Sequence, residues 1–343
     1  MPDNRRLMLA APPPDPFGER GRAAFHARLQ LLGGLFVFET DSTRLLRIVQ
    51  QAYARLPPHR LARAVPRFCV KLVLAPPGRA AHQRRGEPPV VRPLAGAGML
   101  CGTMGRANFV ALSAAQRAAL IVVSHDLLRY AYHVRYELLE FAVYVLAARV
   151  QRLVPLHAAC VGRAGRGVLL VGPSGAGKST LVLHCLLAGL DLLAEDSVLV
   201  RPQRLLATGV ANFLHLRPDS LRFLDRTAEA AVLRHSRVIR RRSGVGKFEI
   251  DLRSAEFRLA AAPQRIRAVL FLSKRRAANG PLLVRLDRSA MFERLAASQR
   301  YAAHQPGWSS FRKRVSALPA YELRRATHPR ESAEALRELL DAR

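Results

Sequence analysis

The sequence predicts an α/β protein with a smaller N-terminal part, a long connecting helix and a C-terminal part. Its 343 residues are enough for two ordinary domains, and with 50% hydrophobic and 23% charged residues the composition is typical of packed cores. Short apolar runs bounded by Gly and Pro, which indicate strands, outnumber the helical segments. The expected boundaries are 1–123 for the N-terminal part, 124–153 for the helix and 154–343 for the C-terminal part.

In the N-terminal part, apolar runs predict strands and one capped helix. The run 28–38 contains a Gly33-Gly34 turn and predicts a hairpin. Asp41 or Ser42 is expected to cap a helix that continues to Tyr53 and stops before two prolines. Further strands are predicted over 68–74 and 108–112, and the segment 76–98, rich in Pro, Gly and Arg, predicts a long surface loop.

The segment 124–152 predicts the connecting helix, because apolar residues such as Val134, Leu138 and Val145 recur at helical spacing without an interrupting Gly or Pro. Four of the seven tyrosines fall on this helix: Tyr130, Tyr132, Tyr136 and Tyr144. They are compatible with a ligand-binding face, but half-buried packing is the favoured interpretation.

The C-terminal part reads as a strand-rich core with few helices. Strands are predicted over 157–161, 167–171, 190–194, 266–272 and 282–286, with a hairpin about Pro202. Helices are predicted from the Gly-rich loop that follows residue 171 to Leu187, over 289–301 and over 332–341.

The formal net charge of +30, from 55 basic and 25 acidic residues, does not by itself indicate nucleic-acid binding. Only five of the basic residues are lysines, and an excess of arginine together with alanine is typical of GC-rich coding. The densest basic cluster, 240–242, has no interleaved aromatic residues. Nucleic acid is therefore not the expected partner, and each rare lysine is a candidate for a role that arginine cannot fill.

Cysteine spacing and hydropathy bear on the compartment. The four cysteines form no C-x-x-C pair, which excludes a zinc ribbon and offers no secreted disulfide framework, so they are expected to be reduced core residues. No apolar run reaches the roughly 18 residues that cross a bilayer, and three prolines interrupt the opening stretch before it resembles a signal peptide. A cytoplasmic protein without a membrane partner is expected.

The segment GPSGAGKS, from Gly172 to Ser179, matches the phosphate-binding pattern G-x-x-x-x-G-K-[ST] between a predicted strand and a predicted helix. Glycines allow successive backbone N–H groups to turn toward a phosphate, and the helix N-terminus adds partial positive charge. Lys178 is expected to contact the β- and γ-phosphates of ATP, and Ser179 to bind Mg²⁺. The expected nucleotide-binding residues are Gly172, Ser174, Gly175, Ala176, Gly177, Lys178, Ser179 and Thr180.

Three further polar residues flank this loop. His157 precedes it in PLHAACV, and Glu195 and Asp196 follow the next predicted strand in DLLAEDSVLV. Over roughly 154–200, this layout resembles the HPr kinase/phosphorylase family, whose fold is similar to that of phosphoenolpyruvate carboxykinases. The rest of the chain looks like HPr-kinase-related proteins of peptide-modification gene clusters. The resemblance implies a C-terminal P-loop domain of this type, with ATP and Mg²⁺ as its cofactors.

Carried over from the family, the resemblance implies that Glu195 is the base for a substrate hydroxyl, Asp196 a Mg²⁺ partner and His157 a modulator of Glu195. Two features depart from the family pattern: Glu195 stands where the family has aspartate, and the downstream E-x-R-G-x-G signature is absent. The alternatives left open are that the Glu195-Asp196 pair only caps a strand end and that His157 is a core histidine.

The function expected is an ATP- and Mg²⁺-dependent kinase that phosphorylates a Ser or Thr hydroxyl of an acidic or flexible peptide or protein, with a ribosomally made precursor peptide as one candidate. Lys247 and Lys274 are candidates for further contacts to the triphosphate, with solvated surface charges as the alternative. A homo-oligomer is expected. The competing classes are an ATP-hydrolysing switch without a phosphate acceptor and an ATPase that binds nucleic acid.

Overall fold

The computed structural model describes residues 23–75, 88–253, 257–278 and 280–342. Within them the chain is a mixed α/β protein, as the apolar runs predict. The described residues contain three sheets. The first sheet lies in the N-terminal part of the chain, and the other two lie in the C-terminal part.

The first sheet has seven strands, in the order β1-β2-β3-β7-β6-β5-β4. Its strands are β1 (Phe25–Leu31), β2 (Gly34–Thr40), β3 (Arg67–Ala75), β4 (Val91–Gly96), β5 (Met99–Met104), β6 (Asn108–Ser113) and β7 (Ala118–Ser124). Helix α1 (Thr43–Tyr53) is capped by Ser42, whose Oγ accepts from the Leu45 N–H at 3.4 Å. The predicted hairpin, helix cap and helix end are therefore confirmed.

The predicted loop over 76–98 is wrong for the part that the structure describes. Residues 76–87 lie outside the described residues, but β4 and β5 form an antiparallel hairpin with a turn at Ala97-Gly98. Both turn residues have positive φ, of 48° and 73°, as a tight two-residue hairpin turn requires. Pro93 within β4 disguised the strand, and proline is tolerated there because β4 is the edge of the sheet.

The connecting helix begins later than predicted and is not uniform. Residue 124 ends β7, and the helical stretch comprises a 3₁₀ turn (Leu127–Tyr130), α2 (Ala131–His133), a π-helical segment (Val134–Leu139) and α3 (Glu140–Gln151). The π segment carries Arg135, which is buried although it is charged. Its guanidinium pairs with Glu249 of the C-terminal part, so the irregular turn coincides with one of the side chains that join the two parts.

The second sheet contains nine strands and lies in the C-terminal part. Its strands are β8 (Val154–Leu156), β9 (Ala159–Arg163), β10 (Arg166–Val171), β11 (Asp191–Ala194), β12 (Val198–Arg201), β13 (Leu206–Gly209), β17 (Gln264–Arg276), β18 (Leu283–Arg285) and β19 (Ala320–Arg325). The main order is β11-β9-β10-β17-β13-β12-β8, and β19 pairs with β17 and β18. The predicted hairpin about Pro202 is confirmed as β12–β13.

The third sheet is formed by β14 (Phe213–Leu216), β15 (Ser236–Arg240) and β16 (Gly246–Asp251), in the order β14-β16-β15. The C-terminal helices are α4 (Lys178–Leu187), a 3₁₀ segment (Pro218–Phe223), α5 (Arg226–Arg234), α6 (Arg288–Ser298), α7 (Arg300–Ala303), α8 (Trp308–Val315) and α9 (Pro329–Asp341). The third sheet, α5, α8 and β19 are elements that the sequence patterns did not predict.

The second sheet is covered on both faces, and β10 shows this in its side chains. Val168 and Leu170 belong to the apolar cluster that includes α4 and α9, whereas Leu169 and Val171 belong to the cluster that includes α6 and α8. Alternation along a strand sends neighbouring side chains to opposite faces, so a continuous apolar run is what such a strand requires. The loop after β10 is thereby held at the end of a buried strand.

None of the described helices is long and apolar enough to span a membrane. The four cysteine thiols are free; Cys160 and Cys185 are buried, and Cys69 and Cys101 are partly exposed. Burial raises the pKa of the Cys160 and Cys185 thiols. The expectation of core cysteines is confirmed for Cys160 and Cys185 and is not met by Cys69 and Cys101.

Candidate active site

The phosphate-binding pattern occupies the turn between β10 and α4, where the sequence places it. Gly175 and Gly177 have φ of 79° and 96°, in the left-handed region that glycine adopts without strain. No atom outside the loop's own neighbours lies within 4 Å of a Cβ built on either glycine, so the backbone conformation, rather than crowding, requires glycine there. The loop therefore has the backbone that a phosphate cradle needs.

Lys178 begins α4 and points back into the loop. Its Nζ donates to the Gly172 carbonyl at 2.6 Å and lies 3.4 Å from His157 Nε2. Burial lowers the pKa of Lys178, and the nearby Asp196 and Glu195 carboxylates offset that effect in part. The ammonium group is thus held inside the loop beside two carboxylates, where a triphosphate would meet it.

Glu195 follows β11 and contacts the loop serine. Ser179 Oγ donates a hydrogen bond to Glu195 Oε1, while Glu195 Oε2 lies 3.6 Å from His215 Nδ1. Burial raises the pKa of Glu195, but the pairing with His215 and the Ser179 hydrogen bond outweigh it, and the pKa lies below its ordinary value. Both carboxylate oxygens of this buried, ionised side chain already have protein partners.

Asp196 faces a different partner from its neighbour. Its Oδ1 lies 3.4 Å from His157 Nδ1, and the two side chains are 40% and 52% exposed. His157 pairs with Asp196 and not with Glu195 among the hydrogen bonds and ion pairs of the described residues, so its expected influence on Glu195 stays a prediction. β11 ends at Ala194 and residues 195–196 form a bend, in which the two adjacent carboxylates reach two different groups. His157 itself lies between β8 and β9 and does not open a strand.

A buried charge network connects to Glu195 through His215. His215 of β14 places Nε2 at 3.1 Å from Glu249 Oε1, and Glu249 also pairs with Arg135 and with Arg237. Burial lowers the pKa of His215, but its two carboxylate partners outweigh burial and raise it. Burial likewise opposes ionisation of Glu249, yet pairing with His215 and Arg135 lowers its pKa to about 2. These groups hold complementary charges in the interior.

This network allows a prediction about stability. Glu249→Gln is expected to lower the free energy of unfolding by about 3–5 kcal/mol, because the buried Arg135 and His215 lose their shared carboxylate and Arg135 keeps only Glu140, whose Oε1 lies 3.6 Å from its Nε. Asp126→Asn, which breaks an exposed pair with Arg129, is the matched control and is expected to cost about 0–1 kcal/mol. Urea unfolding of the two variants measures both values. Equal costs would contradict a supporting role for the buried network.

The loop and the acidic pair line one cavity of about 500 Å³. Lys247 and Lys274 also line it, so the structure brings both of these predicted lysines to the site. Burial and the neighbouring Arg241 charge lower the pKa of Lys247, while Glu195 and Asp196 act in the opposite direction. Among the described residues, the lysines that line this cavity are therefore Lys178, Lys247 and Lys274.

Two tyrosines of the connecting helix reach the site through their neighbours. The rings of Tyr132 and Tyr136 stack with a centroid distance of 5.6 Å, and both meet the edge or face of the His215 ring. Both are partly buried, so half-buried packing is confirmed for these two. Tyr136 also contacts Arg241, which lines the cavity.

Sequence reasoning missed His215, Glu249, Arg135 and Arg241. A weak signal was present for His215, a polar residue in the buried and otherwise apolar strand FLHL, whereas the mixed strand GKFEID gives no such signal for Glu249. Their partners lie far away in the sequence, and spacing alone does not identify such partners.

The arrangement at the cavity has the groups that phosphate binding needs. A glycine-rich backbone turn, a buried lysine and a serine hydroxyl lie on one side, and a partly exposed carboxylate–imidazole pair lies beside them. Oxygen ligands of this kind suit Mg²⁺, which is bound through few protein groups and through substrate phosphates. The described residues contain no cluster of three His, Cys, Asp or Glu side chains that would hold a metal alone.

Comparison with known proteins gives one partial structural similarity. No family model matches the chain, and no curated protein matches it. Among solved structures, the HPr(Ser) kinase/phosphatase from Coxiella burnetii is similar over 54% of this chain and 87% of that chain, with 16% identity and a TM-score of 0.28. At this identity and TM-score, the similarity assigns neither an activity nor a substrate.

Proposed function

We propose that this protein is an ATP- and Mg²⁺-dependent kinase of the HPr-kinase-like type, which transfers the γ-phosphate to a Ser or Thr hydroxyl of a peptide or protein. One observation carries the proposal: the loop residues Lys178 and Ser179 share a cavity with the partly exposed Asp196–His157 pair. A phosphate-binding loop alone suits many ATPases. A carboxylate that is free to meet an acceptor hydroxyl is the additional group that a kinase needs.

The residues present fit ATP and magnesium. Gly175 and Gly177 supply the positive-φ turn, and Lys178 supplies a point charge for the β- and γ-phosphates. Ser179 would hold the metal, with its hydroxyl oriented by Glu195, because a P-loop hydroxyl backed by a carboxylate is how P-loop enzymes bind Mg²⁺. Magnesium bound there neutralises phosphate charge. Lys274 and Lys247 add positive charge at the cavity wall.

Asp196 is the better candidate for the base. Both oxygens of Glu195 face protein partners and the side chain is buried, whereas Asp196 is 40% exposed on the cavity. We therefore reverse the roles that the family resemblance implies: Glu195 orients Ser179, and Asp196 accepts the hydroxyl proton. His157 lies against both Asp196 and Lys178, and it fixes the position of the Asp196 carboxylate.

The transfer step follows from these positions. The acceptor hydroxyl oxygen attacks the γ-phosphorus in line, a new O–P bond forms, and the bond from the γ-phosphorus to the β–γ bridging oxygen breaks. The hydroxyl proton goes to Asp196, and ADP leaves with the bonding electron pair. Lys178 stabilises the charge that builds on the phosphate oxygens. No oxidant or further reactant is required.

The acceptor is proposed to be an acidic or flexible peptide, such as a precursor peptide encoded nearby. The boundaries 1–123, 124–153 and 154–343 are retained as the proposed division, with the N-terminal part and the connecting helix helping to hold the peptide. Support comes from the Tyr136–Arg241 and Glu137–Arg242 contacts, which join the helix to the hairpin beside the cavity. A cytoplasmic homo-oligomer remains part of the proposal.

The test is phosphate transfer from labelled ATP to Ser-containing peptides, with mass spectrometry of the product. We expect the label on a hydroxyl of the peptide, a requirement for Mg²⁺, and no transfer to the matching peptide with Ala in place of Ser. Added salt is expected to raise KM for the peptide more than it lowers kcat, since charge steers the encounter. ATP hydrolysis that leaves every peptide unmodified would instead indicate an ATP-driven switch.

A further inference from the structure

The basic cluster 240–242 is not one continuous basic surface. Arg242 is fixed by the connecting helix and by backbone: it pairs with Glu137 at 2.5 Å and donates to the carbonyls of Pro88 and Pro89 at 2.7 Å each. These contacts anchor the segment between β15 and β16 to the N-terminal part of the chain. The arginine that precedes Arg242 is therefore held at a defined place.

Arg241 lines the cavity and has an N–H donor without a protein acceptor in the part of the chain that the structure describes. Its guanidinium carbon is 5.0 Å from the centroid of the Tyr136 ring, and Nη1 donates to the Tyr136 hydroxyl at 3.3 Å. Its Nε is buried without an acceptor among the described residues, and no described carboxylate forms an ion pair with it. A buried donor without a partner is costly, so this group points to a ligand that the protein itself does not supply.

Lys247 strengthens the same conclusion. It lines the cavity from β16, the strand that pairs with β15, and it also has no ion-pair partner among the described residues. Burial and the Arg241 charge lower the pKa of Lys247 although Glu195 and Asp196 act in the opposite direction, and an anion bound between the two cations would offset their remaining repulsion. The loop and Lys178 already provide for the triphosphate, so the charge of Arg241 is available for a second anion.

We propose that Arg241 binds a carboxylate side chain of the acceptor, and that the substrates are therefore peptides with an acidic residue beside the phosphorylated hydroxyl. This inference rests on the proposed kinase function. A guanidinium offers two parallel N–H donors that match a carboxylate, which an ammonium group does not. Stacking on Tyr136 holds the guanidinium plane, so less side-chain freedom is lost when the carboxylate binds.

The experiment measures peptide binding directly, with an ATP analogue that is not hydrolysed and Mg²⁺ present. Two fluorescent peptides with amidated C termini differ only in having Glu or Gln on either side of a central Ser. The wild-type protein is expected to bind the Glu peptide about tenfold more tightly, in line with a hydrogen-bonded charge pair. Arg241→Gln is expected to abolish the preference without changing the affinity for the ATP analogue. Arg240→Gln, at an exposed neighbour, is the control and should keep the preference.

Three results would overturn the inference: equal binding of both peptides by the wild type, equal loss in the Arg240 and Arg241 variants, or weaker binding of the ATP analogue by Arg241→Gln. The first would show that no charge recognises the acidic residue, and the second would show that general surface charge does so. The third would place Arg241 on the triphosphate. Failure of the kinase proposal is distinguishable, because it would appear as absent transfer while the Arg241-dependent preference in binding persists.

Discussion

Lys178→Ala is expected to weaken ATP binding about ten- to a hundredfold and to abolish detectable transfer. Among the described residues, Lys178 is the only lysine whose ammonium group is held inside the phosphate-binding loop. A charge-assisted hydrogen bond contributes about 1.5–3 kcal/mol. Transfer suffers further, because the same charge stabilises the phosphate oxygens in the transition state. Calorimetric titration with ATP and single-turnover kinetics measure the two effects.

Lys313→Ala is the matched control for this variant. Lys313 is an exposed lysine of α8 and does not line the cavity, so its loss removes the same charge without touching the loop. ATP affinity and transfer should both remain at the wild-type level. Retained transfer in Lys178→Ala, or equal losses in the two variants, would contradict the assignment of the loop as the nucleotide site.

Asp196→Asn is expected to lower the rate of transfer about 10²- to 10⁴-fold while ATP still binds, because the amide keeps the shape but does not accept the hydroxyl proton. The partly exposed Asp196 carboxylate is the base in the proposed mechanism. Rapid-quench measurement of phosphopeptide formation gives the rate, and ATP titration gives the affinity.

Glu195→Gln separates the two neighbouring carboxylates. This variant should mainly raise the Mg²⁺ concentration needed for half-maximal activity, because Glu195 orients the Ser179 hydroxyl. The roles implied by the family resemblance predict the opposite result, with the larger loss of rate in Glu195→Gln. A nearly silent Asp196→Asn variant together with a strongly impaired Glu195→Gln variant would restore that earlier assignment.

Local sequence patterns predicted the parts of the site that are close together in the chain. The loop from Gly172 to Ser179 combines residue types that a phosphate cradle requires with a buried strand before it and a helix after it. The acidic pair at 195–196 was placed at the end of the strand that follows. These features depend on a few consecutive residues, so one sequence is enough to predict them.

The missed contacts are long-range. The pairing of His157 with Asp196, and of Glu249 with Arg135, depends on how strands and helices from different parts of the chain are arranged. Helix and strand periods show which face is buried, but they do not show which buried charges meet. The third sheet was not predicted for a local reason: β15 and β16 lie among basic and glycine residues that resemble a loop.

The ratio of phosphopeptide to ADP in a single turnover distinguishes phosphate transfer to the peptide from ATP hydrolysis. Wild-type protein, limiting labelled ATP, Mg²⁺ and an excess of a Ser-containing peptide with flanking Glu residues are mixed, and phosphopeptide, ADP and free phosphate are counted over time. We expect one phosphopeptide for each ADP, little free phosphate, and a slow rise of both products in Asp196→Asn. ADP that appears with an equal amount of free phosphate, at the same rate in the wild type and in Asp196→Asn, would contradict it.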